Sequence, residues 1–344
     1  MGNCSLSSSC EVVETNLSIN DFELQTILGS GSFGKVWKAL NRKNKQFVAV
    51  KVVSKLLILQ QCTVSQVINE KNILSQIENP FLVNLRAAFQ DNYNLYLCLD
   101  LMSGGDLRYH LNKKKRFTES QTKFFVACIF TALDYLHQQG IIHRDLKPEN
   151  LVFDKFGYIR LTDFGMAGIW RPNKLEHICG TVGYIAPELF LYKQDGIGVD
   201  YFALGVVAYE CMLGRRPYES EDVKEWKDTL NLKQVQIRRQ DLPVDWSKAG
   251  GDFINRLIQI KPEDRLGTND PKQIMKHPWF NNFDWDMLIS KEMIPPFSPK
   301  KRIGYSDFQK GRKSKGKLLN LEILNTKQSQ FVGYNYIPKK ITEY

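Results

Sequence analysis

The octapeptide His143–Asn150 (HRDLKPEN) is the segment that most constrains this chain. It places a carboxylate at Asp145, an ammonium group at Lys147 and a side-chain amide at Asn150, all within six residues. Transfer of a phosphoryl group to a hydroxyl uses a base, a cation and a carbonyl that can bind a metal ion. The segment therefore predicts this chemistry, provided that groups able to hold the phosphates lie elsewhere in the chain.

Length and cysteine content limit the class of protein. The 344 residues, 43% of them apolar, are enough for about two domains of roughly 150 residues each. Asp200 and Glu210 interrupt the apolar stretch 199–213, and no run reaches the roughly 18 residues of a membrane-spanning helix. The seven cysteines include no Cys-x-x-Cys pair, so we expect an intracellular protein with neither a disulfide framework nor a zinc site.

The positive charge is concentrated at one end. The net charge is +10, and +8 of it lies between Lys300 and Tyr344. The rest of the chain lacks the interleaved basic and aromatic residues of a nucleic-acid surface, so we expect no specific nucleic-acid partner.

Apolar periodicity predicts two unlike halves. Residues 1–20 are rich in Ser and Asn, as expected of a flexible arm. Short β-rich runs between residues 22 and 101 surround one helical stretch near 64–77, which predicts a small sheet with one main helix. From Leu107 onward the pattern is helical. Thr118 and Gln121 are spaced as a capping box for the helix that leads to the octapeptide.

A glycine-rich run, Gly29-Ser-Gly-Ser-Phe-Gly34, lies in the first half. Glycines let a hairpin backbone approach phosphates closely, although an ordinary turn has the same composition. A strand that ends in Lys51 follows, rather than the helix of a dinucleotide-binding fold. Glu70 is the expected partner of Lys51, because Glu78 lies just before Asn79-Pro80, where a helix should end.

Two short motifs follow the octapeptide. Asp163-Phe-Gly165 begins thirteen residues after Asn150, and Ala186-Pro-Glu188 comes later. We expect Glu188 to pair with Arg265, although both could be unrelated surface charges. Asp200 opens an apolar helix, and we expect its carboxylate to accept backbone N–H groups of the octapeptide, because a buried unpaired carboxylate is costly.

Together these motifs resemble the eukaryotic protein kinases over residues 22–299. The resemblance implies an α+β, bilobal fold. It assigns residues 21–99 to a small antiparallel β-sheet lobe, 100–106 to a hinge and 107–280 to a larger, mainly helical lobe. Residues 281–344 would form a basic C-terminal tail.

The resemblance also implies the role of each site residue. Asp145 would orient the acceptor hydroxyl, Lys147 would neutralise the transferred phosphoryl group, and Lys51 would contact the α- and β-phosphates of ATP. Asn150 and Asp163 would bind Mg²⁺. The remaining nucleotide contacts fall to Leu28, Gly29, Ser30, Gly31, Ser32, Phe33, Gly34, Val36, Ala49, Glu70, Leu99, Asp100, Met102, Asp106 and Val152. For the apolar members of this set, plain core packing is the alternative.

Further motifs narrow the family. Lys147 and Thr181 are similar to the serine/threonine-directed branch, so we expect Ser and Thr acceptors in protein substrates. Cys179-Gly-Thr181 and Pro295–Pro299 resemble the AGC group. Resemblance to its YANK subgroup is carried by Asn79–Leu85, Gly104–Leu111, Gly214–Tyr218 and Asp284–Asp286.

Three carboxylates occupy the substrate side of this pattern. Asp106, Glu149 and Glu210 lie where AGC relatives bind basic residues upstream of the acceptor, and Thr181 belongs to the same side. Carboxylates in a groove favour arginine through charge-assisted bonds, which predicts a basophilic enzyme. The alternative gives Asp106 to the ATP ribose and leaves Glu210 a solvated helix charge.

Two positions depart from the AGC pattern. His177 stands where a phosphorylatable Ser or Thr usually precedes the Cys-Gly-Thr segment, so no phosphate there can pair with Arg144. Asn335 replaces the usual Ser or Thr of the hydrophobic motif 331–336. We expect a kinase that is constitutively ordered or switched elsewhere, with the motif's aromatic residues docked on the small lobe; a disordered tail is the alternative.

The N-terminus resembles an N-myristoylation start at Gly2, although Leu6 stands where the pattern has Ser or Thr. One myristoyl chain anchors only marginally, so palmitoylation of Cys4 or Cys10, or the basic tail on an anionic membrane, would supply the second signal. The alternative is an unmodified arm. We expect a cytoplasmic monomer, at the inner face of the plasma membrane or another cytosolic membrane surface if acylated.

Two classes of function fit these motifs. The first is an active kinase that uses ATP and Mg²⁺, and the second is a pseudokinase-type nucleotide-binding scaffold. All six residues that the resemblance assigns to the phosphates, the metal ion and the acceptor hydroxyl are present, which favours the enzyme. A basic membrane or nucleic-acid adaptor is a third interpretation, but it rests only on the tail's charge.

Overall fold

The computed structural model describes residues 17–31, 34–170, 179–191, 196–218, 234–300 and 324–338. Several residues singled out from the sequence lie outside these ranges: Gly2, Cys4, Cys10, Ser32, Phe33 and His177. Most of the basic tail does as well.

A five-stranded antiparallel sheet forms the small lobe. Its strands are β1 (Phe22–Ser30), β2 (Gly34–Asn41), β3 (Phe47–Ser54), β4 (Leu85–Gln90) and β5 (Asn94–Asp100). They lie in the order β1-β2-β3-β5-β4, so the valine-rich strand β3 is central. In its register Ala49 lies opposite Leu99, and Lys51 lies opposite both Val36 and Leu97. Lys51 is thus held at the middle of the sheet.

Two helices pack on this sheet, where the sequence predicted one. Helix α1 (Lys55–Gln60) is the addition; the Ser54 side chain caps its first turn by accepting from the amide of Leu57 at 3.4 Å. Helix α2 (Val64–Leu74) is the predicted one and ends within three residues of the expected boundary. Six residues are too few for helical periodicity to be recognised, which is why α1 was not predicted.

The large lobe is helical. Its helices are α3 (Leu107–Lys114), α4 (Glu119–Gln138), α5 (Pro187–Leu191), α6 (Gly198–Leu213), α7 (Lys248–Leu257), α8 (Lys272–Met275) and α9 (Trp285–Ile289). The predicted capping box of α4 is confirmed, because Thr118 and Gln121 each bond the other's backbone amide at 3.3 Å. Gly140 follows α4 with φ of 70°, the left-handed conformation that ends a helix. Helix α6 is buried along almost its whole length.

Two small hairpin-like sheets join the lobes. The strands are β6 (Ile141–Ile142), β7 (Leu151–Phe153), β8 (Ile159–Leu161) and β9 (Gly168–Ile169), with β6 paired to β9 and β7 paired to β8. The octapeptide connects β6 to β7, and Asp163-Phe-Gly165 connects β8 to β9. The two pairings therefore place both loops side by side. The small sheet lobe and the helical lobe confirm the α+β, bilobal fold.

The segment 324–338 packs on the small lobe. Phe331 and Tyr334 are fully buried there, and Tyr336 forms an antiparallel bridge with Ala88 of β4. Lys71 of α2 donates to the carbonyl of Gly333 at 3.1 Å. The tail thus contacts both the sheet edge and helix α2. Among the described residues, no helix is both long and apolar enough to cross a bilayer.

Candidate active site

Asp200 holds the backbone at the start of the octapeptide loop. This buried residue of α6 accepts the backbone amides of His143 and Arg144, both at 2.9 Å, and the imidazole of His137 at 2.8 Å. Burial alone would raise the pKa of its carboxyl, but these partners outweigh burial and lower it. The expected anchoring of the loop is confirmed. Arg144 adopts φ of 65°, a strained conformation that these bonds help to hold.

Asp145 lies at the centre of a hydrogen-bonded cluster. Its carboxylate, in a residue only 7% exposed, accepts Lys147 Nζ on Oδ2 and the hydroxyl of Thr181 on Oδ1, both at 2.7 Å. Lys147 also donates to Thr181 Oγ1 at 2.8 Å. The carboxylate is therefore fixed in orientation and held beside a cation.

Asn150 is turned toward the same group. Its side-chain Nδ2 donates to the carbonyl of Asp145 at 2.8 Å and to Asp145 Oδ2 at 3.2 Å. This orientation leaves the amide oxygen Oδ1 as the atom that can bind a metal ion. The Asn150 carbonyl accepts the amide of Thr162 at 3.0 Å, which brings the neighbouring loop against the octapeptide.

Asp163 is the carboxylate of that neighbouring loop. It is exposed to solvent and has φ of 67°, while the next residue, Phe164, is buried against the His143 ring at a centroid distance of 5.4 Å. Desolvation raises its pKa, but the positive charge of Lys51 leads a set of influences that lower it overall. An ionised, accessible carboxylate beside the Asn150 amide fits the oxygen-ligand chemistry of Mg²⁺.

The described residues contain no cluster of three or more His, Cys, Asp or Glu side chains able to hold a metal ion. Mg²⁺ keeps several waters and binds through one or two carboxylates plus substrate phosphates, so a pair such as Asn150 and Asp163 is sufficient for it.

Lys51 joins the sheet to helix α2. Its Nζ lies 2.7 Å from Oε1 of Glu70, whereas Glu78 is 82% exposed and lies 3.8 Å from Arg86. Burial would lower the pKa of Lys51, but the Glu70 and Asp163 carboxylates raise it. Lys51 is therefore a fixed cation that faces the cleft. A second contact of helix α2 was not predicted from the sequence: Asn69 Nδ2 donates to the carbonyl of Ala167 at 2.8 Å.

The glycine-rich loop leaves space above the cleft. A side chain at Gly29 or Gly31 would meet no atom within 4 Å, so the loop is open where phosphates would approach. Gly34 differs, because a Cβ there would fall 1.8 Å from the Val52 carbonyl oxygen. Gly34 is thus required by strand packing, and the other two glycines fit a phosphate cradle.

The apolar residues assigned to adenine belong to, or pack against, one hydrophobic core. Ala49 and Leu99 are buried and paired across β3 and β5, and Val152 of β7 forms a bridge with Asp106. Leu28, Val36 and Met102 are half-buried against the same core, and Ser30 ends β1 on the cleft's glycine-rich side. The Asp106 Oδ1 atom caps α3 by accepting the amide of Tyr109 at 2.7 Å.

Asp100 is held by its side chain. Its carboxylate accepts from Arg86 at 2.6 Å and from Arg160 at 3.0 Å, and its amide donates to the Asn84 carbonyl at 3.1 Å. The end of β5 is therefore fixed by arginines from β4 and β8.

One arginine engages two of the predicted substrate carboxylates. The Arg108 guanidinium contacts Glu149 Oε1 through Nε at 2.7 Å, and it contacts Glu210 through Nη1 at 2.5 Å and Nη2 at 3.2 Å. Tyr184 donates its hydroxyl to Glu210 Oε2 at 2.5 Å and also lies 2.5 Å from Arg108 Nη2. Burial lowers the pKa of Arg108, but these partners raise it overall, so the charge is permanent. Glu210 is only 6% exposed and is not a solvated helix charge.

The sequence did not single out Arg108, although it lies inside the quoted segment Gly104–Leu111. An arginine two residues after a helix-capping aspartate was the available signal, but its partner Glu210 lies 102 residues away.

Glu188 and Arg265 form the buried ion pair expected from the sequence. Two parallel contacts of 2.5 and 2.8 Å join them, and the Arg265 side chain is fully buried. This pair ties α5 to the segment after α7 and confirms the expectation.

Comparison with known proteins places these features in a family. The sequence model described as "Protein kinase domain" matches residues 22–280. The RAC family serine/threonine-protein kinase homolog of Dictyostelium discoideum is 38% identical over 286 residues, which are 82% of this chain and 63% of the relative. Serine/threonine-protein kinase sgk-1 of Caenorhabditis elegans is 39% identical over 285 residues, covering 82% of this chain and 60% of the relative.

A third relative matches more of the tail. Atypical protein kinase C of Drosophila melanogaster is 34% identical over 336 residues, which are 93% of this chain and 55% of the relative. The chain thus spans less than two thirds of the length of these curated relatives.

Proposed function

The chain belongs to the protein kinase family, and on that premise we propose that it transfers the γ-phosphoryl group of ATP to serine and threonine hydroxyls of protein substrates. The observation that carries this proposal is the cluster around Asp145, in which Lys147, Thr181 and Asn150 all bond one carboxylate. The relatives named as serine/threonine-protein kinases support the choice of acceptor.

The proposed mechanism assigns one task to each group. Asp145 orients the acceptor hydroxyl and takes its proton, because its carboxylate is fixed by three donors. Lys147 remains beside it as a cation for the transferred phosphoryl group. Lys51, fixed by Glu70, positions the α- and β-phosphates. Magnesium held by Asn150 and Asp163 would neutralise charge on the phosphates when bound.

The open space at Gly29 and Gly31 supports phosphate binding by the loop above. The adenine would lie between Ala49 and Val152 and bond the hinge backbone at Asp100 and Met102. At Asp100 this contact falls to the carbonyl, since its amide already donates to Asn84.

A pseudokinase-type scaffold is the alternative. It would lack a competent base or lysine, yet Lys51 and Asp145 both have their partners within 2.7 Å. The contacts favour the enzyme.

We place the protein in the AGC group and, more narrowly, in its YANK subgroup. Relatives named as RAC-family and sgk-1 kinases support the group. The subgroup rests on the segments quoted above, from Asn79–Leu85 to Asp284–Asp286.

The enzyme is proposed to be ordered without phosphate on its activation loop or tail. Three contacts support this: Lys51 with Glu70, Asn69 with the Ala167 carbonyl, and Phe164 buried against His143. His177 and Asn335 remove the two usual acceptor positions.

Membrane attachment is proposed from the ends of the chain. Met1-Gly2-Asn3-Cys4 would carry the acyl group, and the tail charge of +8 would attract anionic lipid. An intact mass with no acyl increment on protein from its native cells, together with soluble-only fractionation, would argue for an unmodified arm.

We propose a latent preference for basic substrates, carried by Asp106, Glu149 and Glu210. The contacts of Arg108 put a condition on it, because two of these carboxylates are already engaged. A substrate arginine would interact with the full charge of Glu149 and Glu210 only when Arg108 no longer contacts them.

One experiment tests the central proposal. Phosphatase-treated protein is assayed with ATP, Mg²⁺ and a degenerate peptide library that contains Ser, Thr or Tyr acceptors, beside the variant Asp145→Asn. We expect transfer to Ser and Thr peptides by the wild type, loss of transfer in the variant, and equal ATP binding in both. Absence of transfer despite ATP binding by the wild type would instead support the scaffold.

A further inference from the structure

We propose that Arg108 is a specificity-determining residue, whose guanidinium occupies the site that Glu149 and Glu210 offer to a substrate arginine. The inference rests on the proposed kinase activity and deepens it. It predicts that the wild-type enzyme gains little from a basic residue opposite these carboxylates, and that the preference for such residues is latent.

The cluster lies beside the reacting groups. Glu149 is two residues beyond Lys147 in the octapeptide loop. The amide of Tyr184 donates to the carbonyl of Thr181 at 3.0 Å, and the Thr181 hydroxyl bonds Asp145. The Arg108 cluster therefore lies next to the place where an acceptor hydroxyl would reach Asp145.

Arg108 and Tyr184 together engage both carboxylate oxygens of Glu210, which is buried. Glu210 receives Arg108 on both oxygens and the Tyr184 hydroxyl on Oε2, and its side chain is 8% exposed. A two-oxygen contact of this kind is the geometry by which an incoming arginine would bind. A substrate arginine would have to displace Arg108 to reach Glu210.

Glu149 is more accessible and is engaged on one side only. Its side chain is 46% exposed, and its Oε1 accepts Arg108 Nε. Its second oxygen bonds no other side chain or backbone amide within the described ranges. A basic substrate would therefore form one weak, solvent-screened contact, with the second oxygen of Glu149.

The charge of the cluster leads to the same conclusion. Two carboxylates and one guanidinium give a net charge of −1, where the carboxylates alone would give −2. Arg216, whose Nη1 atom bonds the Val182 carbonyl at 3.1 Å, adds a second guanidinium next to Tyr184. The groove is thus less attractive to cations than its carboxylates alone predict.

The test compares kcat/KM for peptide pairs that differ only by Arg or Ala at each upstream position. We expect a ratio near unity for the wild type at every position that faces the cluster. In Arg108→Met the ratio should rise by about tenfold or more at one or more positions, the size of one gained charge-assisted hydrogen bond. Arg116→Gln is the matched control; its ion pair with Asp245 is exposed and involves neither Glu149 nor Glu210, and its ratio should stay at the wild-type value.

A second variant covers the case in which Arg108→Met does not fold, since it leaves the buried Glu210 carboxylate without a cationic partner. Glu210→Gln in the wild-type background keeps the Tyr184 bond. Its Arg-to-Ala ratio should equal that of the wild type, because the substrate does not use Glu210.

Three results overturn the inference. They are a high wild-type ratio that Glu210→Gln abolishes, an unchanged ratio in an Arg108→Met protein with a normal melting transition, and an equal rise in Arg116→Gln. Wild-type protein that phosphorylates neither peptide would refute the proposed function itself, which is a distinct outcome.

Discussion

Lys51 and Glu70 form a contact of 2.7 Å that crosses from strand β3 to helix α2. The Glu70 side chain is 7% exposed, while that of Lys51 is 28% exposed toward the cleft. The pair fixes the position of one cation relative to Asp145 and makes that position depend on helix α2. Contacts that fix the position of helix α2 therefore also affect phosphate binding.

Replacement of Glu70 should impair the reaction more than replacement of Glu78. Glu70→Gln removes the charge that holds Lys51, so kcat/KM for ATP should fall by roughly 10- to 100-fold, as expected for loss of a charged hydrogen bond. Glu78→Gln removes the same charge from an exposed position and should change kcat/KM less than about twofold. Equal effects of the two variants would contradict this assignment.

Removal of the Phe331 ring should release the tail. Phe331 is fully buried, with Lys55 Nζ 5.0 Å from its ring centroid and its carbonyl bonded to Gln90 at 2.8 Å. Phe331→Ala should cost about 3–5 kcal/mol of docking free energy. We expect a lower melting temperature and, because Lys71 loses the Gly333 carbonyl, a lower kcat/KM. Val332→Ala is the control, since that side chain is 81% exposed and both measurements should stay unchanged.

Removal of the Tyr334 hydroxyl should not destabilise the protein. The ring is fully buried, and its hydroxyl has no hydrogen-bond partner among the described residues. An unpaired buried hydroxyl is unfavourable, so Tyr334→Phe should leave the melting temperature unchanged or raise it by a few degrees. A clear fall in melting temperature would show that the hydroxyl has a stabilising partner.

Lys291 predicts a dependence of stability on pH. Its Nζ lies 3.7 Å from Asp154 and has no hydrogen-bond partner among the described residues, and burial lowers its pKa from 10.5 to about 8. Below pH 8 the folded protein therefore carries a buried charge, which costs free energy of folding. Between pH 8 and 10.5 this amine is neutral in the folded protein but still protonated in the unfolded chain. Lys291→Met should be more stable than the wild type at pH 7 by on the order of 2–3 kcal/mol.

This gain should shrink as the pH rises toward 10.5, because the wild type then carries a neutral amine. Asp154 stays satisfied in the variant, since its Oδ1 accepts three backbone amides, those of Phe156, Gly157 and Tyr158. Chemical denaturation of both proteins at pH 7, 9 and 10 measures the difference. A variant that is less stable at pH 7, or a difference independent of pH, would contradict the expected cost of the charge.

Short-range features were predictable from the sequence. The bilobal α+β fold, the capping box at Thr118 and the choice of Glu70 over Glu78 as the partner of Lys51 depend on spacing, helix-ending signals or motif resemblance. Each uses residues whose chemistry is apparent within a few positions. Helix α1 was missed because six residues do not establish a period.

Long-range pairings were less accessible. The sequence identified Glu149 and Glu210 as acidic but could not show that Arg108 would reach both, because Glu210 lies 102 residues from Arg108 and only the folded chain brings them together. Asp106 caps α3, whose first turn carries Arg108, and the contacts of Arg108 with both carboxylates exist only after folding. The bond from the Lys71 side chain to the Gly333 carbonyl carries no side-chain signature at its acceptor.

The bond between Lys71 and Gly333 can form only after the tail has been synthesised. Gly333 lies 262 residues after Lys71, and a ribosome that adds about 5–20 residues per second releases it roughly 13–50 s later. During this interval the nascent small lobe presents an uncovered surface on α2 and at the edge strand β4. Arrival of the tail then covers both surfaces.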